Sequence, residues 1–98
     1  MQITYEKNGG ELTIALTGRL DTQTAPELEK TLEENLPGTT AVIFDLAGLT
    51  YTSSAGLRIF LKARKAVKQK EDIRLIHVCE EIRDILEMTG FTDLMTVE

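Results

Sequence analysis

The sequence predicts a single α/β domain, in which a β-hairpin is followed by a right-handed β-α superhelix. Apolar and polar residues alternate over residues 11–18, as in a half-buried strand, and residues 41–46 form a nearly continuous apolar run. The segments between such strands carry apolar residues at helical spacing, and strands that alternate with helices build parallel sheets. We expect a mixed, mostly parallel sheet of four or five strands and one domain over residues 1–98.

The first two strands are expected to form the hairpin. They cover residues 3–7 and 11–18, and the Asn-Gly-Gly sequence at residues 8–10 is a strong turn signal. The strand at 41–46 is apolar on both faces apart from Asp45, so it belongs in the middle of the sheet.

Three helices are expected to connect or follow the strands. Their expected bounds are residues 24–35, 54–69 and 80–89. The apolar stripe of the second helix is expected to consist of Leu57, Phe60, Leu61, Arg64 and Val67. A polar loop over residues 48–55 should lead into this helix, a strand over 73–78 should follow it, and residues 91–97 should be irregular or an edge strand.

The composition is that of a folded protein, with 42% hydrophobic and 28% charged residues. No apolar run approaches the roughly 18 residues that span a bilayer, and the first residues lack signal-peptide character. One cysteine cannot form an internal disulfide, which is typical of a reducing, cytoplasmic setting. The lack of a long apolar run means that we expect no membrane insertion. One cysteine and one histidine cannot fill a zinc site, so we expect no metal.

The net charge of −5 is unevenly distributed. Residues 56–70 contain six basic residues and no acid, while the rest of the chain holds five bases against sixteen acids. The low overall basicity and few aromatics argue against nucleic-acid binding. A basic helix on an acidic body instead favours an acidic protein surface as partner, although a merely solvated helix face remains an alternative.

The motifs argue against catalysis. Ser53 and Ser54 lack the Gly-x-Ser-x-Gly spacing of a hydrolase nucleophile, and the single His77 is expected within a strand. No phosphate-binding or dinucleotide-binding glycine motif is present. We therefore expect a protein that is not an enzyme and has no cofactor.

The two serines open the predicted basic helix, where a hydroxyl can be a helix cap or a phosphate acceptor. Loops that follow successive parallel strands gather at one edge of the sheet. We therefore expect Asp21, the segment after Asp45 and Ser53–Ser54 to lie close together. Asp21 or Thr22 is also expected to cap the first helix, and a plain cap is the alternative to a functional role.

A family resemblance rests on four blocks in order along the chain. They are Gly18-x-Leu20-Asp21-x-x-Thr24-Ala25, Ile43-Phe44-Asp45-Leu46, Thr52-Ser53-Ser54-Ala55-Gly56-Leu57-Arg58 and Met88-Thr89-Gly90-Phe91. The chain thereby resembles a STAS domain, and more closely the stand-alone bacterial anti-sigma factor antagonists. The resemblance covers essentially the whole chain. It implies the β-α superhelix that the residues predict, with the helices mainly on one face of the sheet.

The resemblance implies a regulatory binding protein. Such proteins bind an anti-sigma factor that is also a GHKL-type serine kinase, and this binding frees a sigma factor. Phosphorylation by that kinase weakens the complex, and a PP2C-type phosphatase reverses it. The phosphorylated serine falls on Ser54, with Ser53 as second choice in a position where many members have aspartate. The implied partner contacts are Asp21, Thr22, Thr24, Thr52, Ser53, Ala55, Gly56, Leu57, Arg58 and Lys62.

Two alternatives remain open at this stage. One is a STAS module in another setting, such as a stressosome-like scaffold, another partner-switching system or a lipid-transport complex. A small α/β enzyme or ligand-binding protein is the other alternative, although no base, metal set or cofactor loop identifies one.

Overall fold

A computed structural model describes all residues, 1–98. The strands are β1 (Gln2–Asn8), β2 (Glu11–Leu20), β3 (Ala41–Thr52), β4 (Ile73–Ile76) and β5 (Thr96–Val97). The helices are α1 (Ala25–Asn35), α2 (Ser54–Ala66) and α3 (Glu80–Met88), with short 3₁₀ turns at Lys70–Asp72 and Phe91–Asp93. No helix is long and apolar enough to cross a membrane.

The sheet has the order β1-β2-β3-β4-β5. β1 and β2 pair antiparallel through the turn at Gly9, whose φ of 61° suits glycine, and the other neighbours pair in parallel. The predicted fold class, a single α/β domain with a mixed, mostly parallel five-stranded sheet, is confirmed. The central position predicted for the apolar strand at 41–46 is also correct.

The core lies on one face of this sheet. Its fully or almost fully buried apolar strand residues are Leu12, Ile14, Leu16, Leu20, Val42, Phe44, Leu46, Leu49, Ile73 and Leu75. The buried residues of all three helices belong to the same cluster, so the helices cover this one face. Phe44 of β3 and Phe60 of α2 meet edge to face with ring centroids 4.9 Å apart.

The predicted loop at 48–55 is wrong, because β3 continues to Thr52. Its second half pairs with the end of β2 up to Leu20↔Thr52, with register shifts between Ala15 and Thr17 and between Gly18 and Arg19. Leu49 and Thr52 face the core, whereas Thr50 and Tyr51 are exposed and make the segment look polar in sequence. Since β4 pairs only with Val42–Asp45 of β3, the ends of β2 and β3 project beyond it as a two-stranded ribbon.

The strand predicted at 73–78 ends at Ile76, and His77 is not within a strand. β4 loses its neighbour after the Asp45↔Ile76 pair, where the Asp45 carboxylate accepts the N–H of Ala47 and β3 changes register. His77 then turns the chain at a φ of 57° and lies exposed, with its Nδ1 2.9 Å from Asp45 Oδ1.

Helix α2 is shorter than predicted, and the side of the helix that faces the sheet differs in part from the predicted apolar stripe. Val67 is extended, so the helix ends at Ala66, and Lys68 and Lys70 lie beyond it. The side that packs on the sheet consists of Gly56, Ile59, Phe60 and Ala63. Leu57, Leu61 and Arg64 are only partly buried, because the small residues at 56 and 63 let the helix approach the sheet on their side.

Candidate functional site

The candidate site lies where β2 and β3 end side by side. The N–H of Ser53 donates to the carbonyl oxygen of Leu20 at 2.9 Å, so the chain after β2 starts beside the first turn of α2. This brings the Asp21 turn and the two serines together, as the sequence predicts. Asp45 does not join them, because it lies seven residues before the end of β3, paired with His77.

Asp21 holds the turn that leads into α1. Its Oδ1 accepts the N–H groups of Gln23 and Thr24 at 3.0 and 3.1 Å. The hydroxyl of Thr24 accepts the N–H of Asp21 and donates to the carbonyl oxygen of Arg19. Thr24 occupies the N-cap position and makes no side-chain bond to the helix. The prediction that Asp21 or Thr22 caps α1 is therefore wrong, because the Asp21 carboxylate binds N–H groups of the preceding turn and Thr22 is exposed.

The bonds from Thr24 and Gln23 lower the pKa of Asp21 below its usual value of 3.8. Since the folded-state pKa is depressed, the stabilisation is present above the unfolded-state value and is lost as the pH falls through the lowered pKa. The carboxylate is therefore charged at neutral pH, close to the start of α2.

We expect Asp21→Ala to lower the melting temperature, because the N–H groups of Gln23 and Thr24 lose their acceptor. Asp21→Asn should keep most of the stability at pH 7, since its amide oxygen can accept the same bonds, but should lose the acid dependence that the carboxylate contributes. Thermal unfolding of both variants between pH 2 and pH 7 measures this. Equal melting temperatures for the wild type and Asp21→Ala at pH 7 would show that the turn does not depend on Asp21.

Ser53 and Ser54 differ sharply in accessibility. Ser53 is the N-cap residue of α2, with an extended backbone, and its Oγ is buried without a hydrogen-bond partner. Ser54 is the first residue of the helix and is exposed, and its hydroxyl takes part in no hydrogen bond of the structure. Neither hydroxyl caps α2, and only that of Ser54 is open to another molecule.

A groove of about 250 Å³ separates the first turns of α1 and α2 beside Ser54. It is lined by Thr22, Ala25, Pro26, Glu29, Ala55, Arg58 and Ile59. Arg58 is exposed and forms no ion pair, so its guanidinium group is available at this groove.

Lys62 is engaged within the domain. Its ammonium group bridges Glu29, at 3.3 Å, and Glu33, and so ties α2 to α1. These two carboxylates, Glu33 first, raise the pKa of Lys62. Two basic residues, Arg58 and Lys62, were predicted to contact a partner. Of these, only Arg58 forms no ion pair with a carboxylate of this chain.

Two of the predicted partner contacts lie at packing positions in this structure. Thr52 is 4% exposed, and Gly56 is buried against the ends of β2 and β3. A Cβ at position 56 would lie 2.4 Å from Thr52 Oγ1 and 2.6 Å from Leu20 Cδ2, so the helix packs here only because glycine has no side chain. Ala55 and Leu57, by contrast, are partly exposed.

Sequence reasoning missed one feature of the site. The guanidinium of Arg19 lies over the ring of Tyr51, 4.1 Å from its centroid, at the projecting end of the β2–β3 ribbon. Arg19 and Tyr51 are paired in register, but residue 51 was expected in a loop and thus had no strand partner. Both side chains are exposed, on the face of the ribbon opposite to Leu20 and Thr52.

The chemistry of the site is limited to a few groups that another molecule can contact. The hydroxyl of Ser54 has no hydrogen bond to a general base, and the only histidine is paired with Asp45 outside this site. No group of three or more His, Cys, Asp or Glu side chains is placed to hold a metal ion. What remains is an exposed hydroxyl, a free guanidinium and a shallow groove on a rigid helix start.

Known proteins share both the sequence and the fold. The model of the STAS domain family matches residues 2–98. An anti-sigma-B factor antagonist of Staphylococcus epidermidis is 36% identical to the chain over 86% of the chain and 80% of its own length.

Two solved structures resemble the fold at low sequence identity. An anti-sigma factor antagonist from Mycobacterium paratuberculosis aligns with a TM-score of 0.86 and 20% identity over 98% of this chain and 83% of its own. The Bacillus cell fate determinant SpoIIAA in its phosphorylated form aligns with a TM-score of 0.74 and 16% identity over 99% and 91%.

Proposed function

The chain belongs to the STAS domain family, and on that basis we propose that it is an anti-sigma factor antagonist switched by phosphorylation of Ser54. Members of this kind are regulatory binding proteins and not enzymes, in agreement with the prediction from the sequence. We take residues 1–98 as one STAS domain that acts in the cytoplasm.

The observation that carries this proposal is the open Ser54 hydroxyl at the start of α2, next to a groove and a free cation. The unphosphorylated surface would bind an anti-sigma factor, with Thr22, Ala55, Leu57 and Arg58 as direct contacts. Asp21 and Thr24 shape the turn beside it. A basic docking residue on a chain of net charge −5 favours an acidic patch on the partner.

The regulation we propose follows from the chemistry of phosphate. The anti-sigma factor is itself a GHKL-type serine kinase, and binding of the antagonist releases the sigma factor. Phosphate on Ser54 adds about −1.5 to −2 charges at pH 7 and needs no change of fold, because a helix start tolerates an anion. It is repelled by Asp21 and by acidic groups of the partner. A PP2C-type phosphatase restores binding.

Incubation with the serine kinases encoded near this gene, followed by mass spectrometry of the peptide containing residues 52–58, tests the proposal. The wild type and Ser53→Ala are expected to take up one phosphate, and Ser54→Ala none, because the Ser53 hydroxyl is buried. Ser53→Ala is the matched control, since it removes a neighbouring hydroxyl from the same peptide. Undiminished phosphorylation of Ser54→Ala would move the site to Ser53 and overturn the assignment.

A further inference from the structure

Arg58 follows Ser54 by four residues on the same helix. Side chains at this spacing are neighbours on the helix surface, with Cβ atoms about 5–6 Å apart. Both residues are exposed, and no carboxylate of the chain forms an ion pair with Arg58. The guanidinium is thus free to meet a group attached to the Ser54 oxygen.

We propose that the phosphate of phosphorylated Ser54 is bound by Arg58 of the same chain. This inference rests on the proposed function, and it adds a second action of the phosphate. Besides introducing negative charge, the modification withdraws the cation that the unphosphorylated surface offers to an acidic partner. One covalent change then removes an attractive contact and adds a repulsive one.

The neighbouring cations are not available for this role. Lys62 is held between Glu29 and Glu33 of α1, and Arg19 is stacked on Tyr51. Lys65 is eleven residues beyond Ser54, about 16 Å along the helix axis. A guanidinium also matches phosphate geometry better than an ammonium, because it can donate two parallel hydrogen bonds.

The test needs neither a kinase nor a partner. Phosphoserine is incorporated at position 54 during synthesis of the full chain, and ³¹P NMR follows the second ionisation of the phosphate in low salt. A nearby guanidinium favours the dianion, so the pKa of the phosphate should be lower in the wild-type background than in Arg58→Ala by about 0.3–0.7 units. Arg58→Lys should give an intermediate value.

Lys65→Ala is the matched control, because it removes the same charge from the same helix outside the reach of the phosphate. It should leave the phosphate pKa unchanged within error. Equal phosphate pKa values in the wild-type and Arg58→Ala backgrounds would overturn the proposal. So would an equal shift in Lys65→Ala, which would indicate the general field of the helix rather than a contact.

Binding to the partner then provides an independent measurement. If phosphate acts partly by capturing Arg58, phosphorylation should weaken binding less in Arg58→Ala than in the wild type, with a ratio of at least threefold. If phosphorylation weakened binding by the same factor in Arg58→Ala and in the wild type, the binding of the phosphate by Arg58 would be contradicted. Failure of the proposed function is distinguishable, because it would show as no phosphorylation of Ser54 by any kinase while the NMR shift in the synthetic phosphoprotein persists.

Discussion

Gly56→Ala is expected to destabilise the domain by about 1–3 kcal/mol, although alanine is the better helix former by about 1 kcal/mol. The added Cβ would lie 2.4 Å from Thr52 Oγ1 and 2.6 Å from both Cγ and Cδ2 of Leu20. Leu20 is fully buried and Thr52 almost so, which leaves neither side chain room to move away. The start of α2 would have to shift from the sheet, and with it Ser54.

Urea unfolding of Gly56→Ala measures this cost, with Ser54→Ala as the control. Ser54 is exposed, so its substitution should change stability by less than about 0.5 kcal/mol. In a double-mutant cycle, Leu20→Ala and Gly56→Ala together should cost less than the sum of the single changes, because the first removes atoms that the second would strike. An undiminished stability of Gly56→Ala would mean that the close approach of helix and strand is not required.

Phosphate on Ser54, or its mimic Ser54→Asp, is expected to weaken binding to the anti-sigma factor at least tenfold, equivalent to about 1.4 kcal/mol. The anion would enter an interface beside Asp21, whose lowered pKa keeps it charged, and would face acidic groups of the partner. The fold should be unaffected, because an acidic group at the first residue of a helix is favourable.

Isothermal titration calorimetry with the cognate anti-sigma factor measures the loss, and thermal unfolding verifies that the variant remains folded. Gln69→Glu is the matched control, since it adds one negative charge to an exposed position beyond the other end of α2. It should bind like the wild type. Equal affinities of Ser54→Asp, phosphorylated protein and wild type would exclude the switch.

The order of strands and helices could be predicted because periodicity and turn residues agree along most of the chain. The Asn-Gly-Gly turn and the alternating apolar residues of β2 predict the hairpin correctly. Gly90 was expected to stop the third helix, and α3 does end at Met88, two residues before Gly90 and its φ of 79°. The errors fall where tertiary contacts override local pattern. Residues 48–52 look like a polar loop, yet they form a strand because the end of β2 is there to pair with them.

The candidate site was predictable in its position but not in its details. Parallel strands that end side by side bring Asp21 and the serines together, and this follows from topology alone. The burial of Ser53 Oγ, the engagement of Lys62 by two glutamates and the packing role of Gly56 depend on how α2 is rotated on the sheet. The predicted stripe is correct for Phe60 and Val67 but wrong for Leu57, Leu61 and Arg64. Gly56, Ile59 and Ala63, which face the sheet, were not counted as inward-facing residues.

The two register shifts in the β2–β3 ribbon affect what its unpaired edge can bind. After Asp45, β3 has no neighbouring strand on the side of β4, so this part of β3 is an unpaired edge. A regular unpaired edge can pair with strands of other molecules. A bulge breaks the even spacing of donors and acceptors and twists the strand, so an incoming chain cannot continue the ladder. We therefore expect the ribbon to expose Tyr51 and Arg19 without adding strands from other molecules to its edge.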